Sequence, residues 1–67
     1  MLSKQQKYSI ASTVACSGEQ YTIQRIRNYG ESNSTKEAIA FIERISPYFN
    51  GKYNGYVPPK VIELCNQ

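Results

Sequence analysis

Histidine, aspartate and tryptophan are absent from this 67-residue sequence, and the first two absences close off whole classes of function. Without histidine there is no imidazole base and no imidazole metal ligand, so Ser-His-Asp and Cys-His catalysis cannot be assembled within the chain. Without aspartate the commonest Mg²⁺ and Ca²⁺ carboxylates are missing. The five glutamates (Glu19, Glu31, Glu37, Glu43, Glu63) stand six to twenty residues apart in no ligand-like pattern. Two cysteines fall short of the roughly four N or S ligands that structural zinc takes. The four glycines match neither the dinucleotide-binding nor the P-loop pattern. Together these gaps predict a protein that is not an enzyme and that needs no metal or cofactor.

Long apolar runs are missing too. None approaches the roughly 18 residues of a membrane span, and the opening MLSKQQK is polar where a signal peptide would be apolar. Cys16 and Cys65 can pair at most once, fewer bridges than a small secreted scaffold carries, so the expectation is a cytoplasmic protein with two reduced, half-buried thiols. Core material is also scarce. Beyond Met1 there are fourteen large aliphatic or Phe side chains, enough for one domain over residues 1–67 near the size where a single core is marginal. A homodimer or a larger partner is one way to make up the deficit. Eight Lys and Arg against five Glu give +3, a small basic protein whose cations are scattered, compatible with nucleic acid without demanding it.

What is present favours helices. Three Ser-x-x-Gln/Glu boxes (Ser3–Gln6, Ser17–Gln20, Ser34–Glu37) each precede a segment with an apolar face. Lys4 to Ala15 places Tyr8, Ala11 and Ala15 beside Ile10 and Val14. Gly18 to Tyr29 places Ile23 and Ile26 one turn apart, with Thr22 and Tyr29 on the same side. Thr35 to Ser46 gathers Ala38, Ile42 and Ile45 with Phe41, widened by Ile39. Pro47 should stop this helix. Pro58-Pro59 should open a short final one over Lys60 to Cys65. The predicted fold is all-α, a domain of three to four helices. A rival α+β reading stays open, because Tyr8–Val14 and Tyr21–Arg27 are rich in β-branched residues and alternate well enough to form a hairpin ahead of the third segment.

The second segment has the composition of a reading surface. Wound at 100° per residue, it puts Gln20, Gln24, Arg27 and Asn28 on the side opposite its apolar residues, with no acid between Gln20 and Gly30. Gln and Asn can pair bidentately with adenine, and Arg with guanine. Arg25 lies on the flank, where a phosphate contact is natural, and Lys36 and Lys52 are further phosphate candidates. Ile10-Ala11, Ser17 and Thr22-Ile23-Gln24-Arg25-Ile26 resemble the repressor-type helix-turn-helix, with Ser17 as cap of the reading helix and Ala15 or Gly18 in the turn. Gly18 to Tyr21 makes the spacing about two residues longer than that pattern. Gly30-Glu-Ser-Asn-Ser34 resembles the inter-helix turn of ribbon-helix-helix dimers, with Tyr8–Val14 as the ribbon. Both resemblances imply DNA as partner.

A second candidate surface follows Pro47. Tyr48, Phe49, Tyr53 and Tyr56 alternate with Asn50, Gly51, Lys52, Asn54 and Gly55, read as a loop or tight hairpin with two Asn-Gly turns. Stiff amphipathic phenols among amides and glycines are the composition of protein-binding loops. Tyr48, Lys52, Tyr53, Asn54 and Tyr56 are its candidate contacts, though two of the aromatics folding back as core would explain the composition equally. Two functions therefore stand: a small helix-turn-helix-like DNA-binding regulator of transcription, or a phage-type inhibitor or adaptor docking on a larger protein or nucleoprotein complex.

Overall fold

A computed structural model describes all 67 residues, and its elements are four α-helices with no strand. They are α1 (Lys4–Ser17), α2 (Glu19–Arg27), α3 (Asn33–Ile45) and α4 (Pro59–Cys65), with a 3₁₀ segment, Ser46–Phe49, continuing α3. The all-α expectation holds and the hairpin alternative does not. Tyr8–Val14, the ribbon of the second resemblance, lies inside α1, and Tyr21–Arg27 inside α2. The alternating pattern lost because the same residues also satisfy helical spacing: Ala11, Val14 and Ala15 are fully buried along one face of α1. Two of the three are alanines, so α1 can sit at the centre, against α2, α3 and α4.

The core is one cluster drawn from α1 (Ala11, Val14, Ala15), α3 (Phe41, Ile42, Ile45), Phe49, and α4 (Val61, Leu64, Cys65). Helix α3 is the main apolar wall, with Thr35, Ala38, Phe41, Ile42 and Ile45 buried at helical spacing. The radius of gyration, 10.8 Å, is near the roughly 11 Å of a tightly folded chain of this length. No helix is long and apolar enough to cross a membrane. The thiols are not alike: both are free, but Cys16 is exposed and Cys65 is fully buried, so neither is half-buried as expected. Burial pushes the Cys65 thiol up, with Lys7 opposing.

Caps set the helix boundaries. The Ser3–Gln6 box forms completely: the Gln6 amide donates to Ser3 Oγ (3.1 Å) and the Ser3 amide to Gln6 Oε1 (2.8 Å). The other two boxes do not form. Helix α1 runs on through Ser17, so that residue caps nothing. Ser34 lies inside α3, whose cap is Ser32, accepting from the Thr35 amide at 3.2 Å. At the far end of α3, Pro47 has no amide hydrogen to donate, and the backbone tightens into the 3₁₀ turn. Asn50 closes that turn in the left-handed region at φ 53°.

Candidate nucleic-acid interface

Helix α2 is nine residues long and is joined to α1 by a single non-helical residue, Gly18. Its φ of 91° lies where L side chains are strained, which is why glycine stands at the corner. Its carbonyl accepts from the buried Thr22 hydroxyl at 2.8 Å, which satisfies that hydroxyl, and no side chain caps the amides at the helix start. The helix-turn-helix resemblance placed Ser17 at that cap. The correction is that the small turn residue is Gly18, Ala15 is buried within α1, and the connection is one residue rather than a three- to four-residue turn.

Only Thr22 of α2 is buried, and Ile23 and Ile26 are half-buried against the core. Apart from Glu19, which is also half-buried, the rest of the helix faces solvent. Gln20, Gln24, Arg25, Arg27 and Asn28 are all exposed, as the sequence predicts. Gln24 Nε2 donates to Asn28 Oδ1 at a long 3.4 Å, and Arg25 Nη1 to the Tyr21 hydroxyl at 3.3 Å. Tyr21, Gln24, Arg25, Asn28 and Tyr29 line an open depression on this face. Tyr29 is the surprise. Helical winding placed it with the apolar residues, but α2 ends at Arg27 and the next turns close on shorter bonds, Tyr29 amide to Ile26 carbonyl and Gly30 amide to Arg27 carbonyl. Tyr29 therefore leaves the helical register and is 78% exposed. The Tyr21 phenol first, then Tyr29, holds the Arg25 guanidinium above its already high ordinary value by hydrogen bonding and charge. The four-residue spacing of Tyr21 and Arg25 was the sequence signal for that pair, and Tyr29, beyond the helix end, had none.

The electrostatics favour an anion. An ion pair joins the Met1 amino group to Glu37 at 3.2 Å, and no Lys or Arg side chain is paired with a glutamate. Arg25 and Arg27 fall in the last turn of α2, where they also offset the helix dipole. Lys36 is exposed near the start of α3 and shares no hydrogen bond with the α2 stripe.

The aromatic loop is divided between two roles. Phe49 is buried in the core. The Tyr53 ring lies 6.1 Å from that of Phe49 and packs beside Gly18, within 3.6 Å of where a Cβ there would stand. The Gly55 amide donates to the Ala15 carbonyl at 2.7 Å. This segment therefore clasps the α1–α2 corner, and no hairpin forms. Asn54 makes a local turn instead, its Oδ1 accepting from the Tyr56 amide at 3.2 Å. Tyr48, Lys52, Asn54 and Tyr56 remain exposed and, with Phe49, Asn50 and Pro58, line a second depression from which Tyr53, itself 37% exposed, is absent. Comparison with protein families, with curated proteins and with solved structures gives no match.

Proposed function

We propose that this chain is a non-enzymatic, cytoplasmic DNA-binding regulator that reads base edges with α2. The observation that carries the reading is the continuous exposed stripe Gln20, Gln24, Arg27 and Asn28, flanked by Arg25 and interrupted by no carboxylate. Helix dimensions suit it. An α-helix with its side chains is about 10–12 Å across, and B-DNA's major groove is about 12 Å wide. Gln20 to Asn28 spans about 12 Å of axis at 1.5 Å per residue, the rise of three to four base pairs. Arg27 would take a guanine, the amides adenines, and Arg25, Lys36 and Lys52 phosphates.

The test is fluorescence anisotropy on labelled duplexes across a salt series. Three phosphate contacts should give a slope of log K against log salt near −2.7, taking about −0.9 per contact. Arg27→Ala should lose about 1–3 kcal/mol on the preferred site and flatten base preference there. Binding undetectable at about 50 mM salt would remove the DNA reading, because the electrostatic component shows first.

One observation favours a second reading, docking on a larger protein. Tyr48 and Tyr56 stand exposed at a depression edged by Lys52 and two asparagines. Under that reading Tyr56→Ala costs more than about 1 kcal/mol of partner affinity, as an anchor residue does, and Arg27→Ala is neutral.

A further inference from the structure

We propose that Tyr21, Arg25 and Tyr29 form a clamp for a backbone phosphodiester on the flank of α2, gripping the strand while the neighbouring amides face the bases. The inference rests on the nucleic-acid reading of α2 and assigns two tyrosines that the stripe itself does not include.

The chemistry follows from where the donors are. Arg25 Nη1 donates to the Tyr21 hydroxyl oxygen at 3.3 Å, which anchors the guanidinium at one corner. That leaves most of its five N–H groups free. A phenol oxygen that accepts a bond still carries its own hydrogen, so the Tyr21 O–H is free to donate outward. Tyr29 brings a second phenol to the lining of the same depression from beyond the helix end. Three side chains thus offer donors around one positive charge, in an open depression with no carboxylate in its lining. A phosphodiester, with two acceptor-only oxygens sharing one negative charge, matches that set. Arginine and tyrosine are also both ordinary phosphate contacts in nucleic-acid complexes. Gln24 and Asn28 extend the lining toward the reading stripe and are tied to each other at 3.4 Å, so they sit between clamp and bases.

The clamp is also preorganised in a way the other candidate cations are not. Neither Lys36 nor Lys52 donates a side-chain hydrogen bond, whereas Arg25 is already oriented by a neighbour before any ligand arrives. An oriented guanidinium has less rotamer freedom to lose on binding.

The experiment compares the whole chain with Arg25→Gln, Tyr21→Phe and Tyr29→Phe on three probes: a duplex of mixed sequence, an oligothymidylate single strand, and inorganic phosphate. All three side chains are surface groups, and circular dichroism checks that each variant remains helical. Arg25→Gln should weaken every duplex by the same factor, roughly tenfold, and lower the salt slope by about 1. The two Phe variants, which keep the rings, should each lose a smaller factor, about threefold, again the same for all sequences. Unchanged affinity and slope in Arg25→Gln, with duplex still bound, would overturn the clamp and leave the groove reading standing. Single-strand binding that Arg25→Gln abolishes, without any duplex binding, would support the clamp and overturn the groove reading. Failure of both nucleic acids to bind overturns both. If inorganic phosphate shifts the Tyr21 and Tyr29 resonances as strongly as the strand does, the site takes free phosphate and the backbone assignment is wrong.

Discussion

The α2 stripe and the aromatic loop both present exposed polar side chains, but they differ in what else their residues do. The α2 stripe contributes nothing to the core: Gln20, Gln24, Arg25, Arg27 and Asn28 are all exposed, and their side-chain hydrogen bonds, Gln24 to Asn28 and Arg25 to Tyr21, stay on the same helix. The aromatic loop is bound into the fold. Phe49 is a core residue, Tyr53 packs on Phe49 and Gly18, and Gly55 donates to the carbonyl of Ala15. The same three features that make a loop resemble a binding site, stiff rings, glycine and short polar turns, are also what holds a corner shut in a chain short of core. A surface whose side chains can all change without loss of fold is the better candidate for recognition, and here that surface is α2.

The contrast can be broken most forcefully at Phe49. Phe49→Ala should lose about 3–5 kcal/mol in urea unfolding. That is comparable with the whole stability of a domain this small, roughly 3–10 kcal/mol, so the variant should be largely unfolded. A stable Phe49→Ala would mean the loop is not structural after all. Gly18→Ala should come next, at about 1–3 kcal/mol, the cost of holding an L residue at φ 91°, ψ 162°. The added methyl meets Tyr53 at an ordinary 3.6 Å, so the cost is backbone strain rather than a clash. Tyr53→Ala and Tyr56→Ala sharpen the division within the loop. The first should lose about 0.5–1.5 kcal/mol with its aromatic partner, and the second less than about 0.5. Equal losses would erase the distinction drawn between the two tyrosines. The smallest effect is expected on α2. Gln24→Ala should leave the urea midpoint within about 0.5 kcal/mol of the original, because an exposed amide with one long bond adds little.

Much of this was legible in the sequence, for local reasons. The α3 face needs only its own spacing, and Pro47 and Pro58-Pro59 act on their immediate neighbours. The exposure of Gln20, Gln24, Arg27 and Asn28 followed from where the isoleucines of α2 are. Errors arose where several residues competed or where contacts were distant. Ser32, Asn33 and Ser34 are all competent caps, and the one chosen lies two residues before the expected one. Tyr29 departs from the face that helical winding predicts because the helix stops at Arg27. The Tyr53–Gly18 and Gly55–Ala15 contacts join parts of the chain about 35 and 40 residues apart, and no local pattern encodes them. Whether the α2 stripe meets DNA is a question of partner chemistry, to which the sequence contributes donors and charge but no shape.

Amide and side-chain resonances of the isotope-labelled chain, followed while a mixed-sequence duplex is added at low salt, would locate the contact residue by residue. Shifts and broadening should concentrate at Gln20, Gln24, Arg25, Arg27, Asn28 and the two flanking tyrosines, with Tyr48, Asn54 and Tyr56 little changed. A spectrum that does not respond to duplex, or one that responds in the Tyr48–Tyr56 loop while α2 stays still, would contradict the assignment of α2 as the working surface.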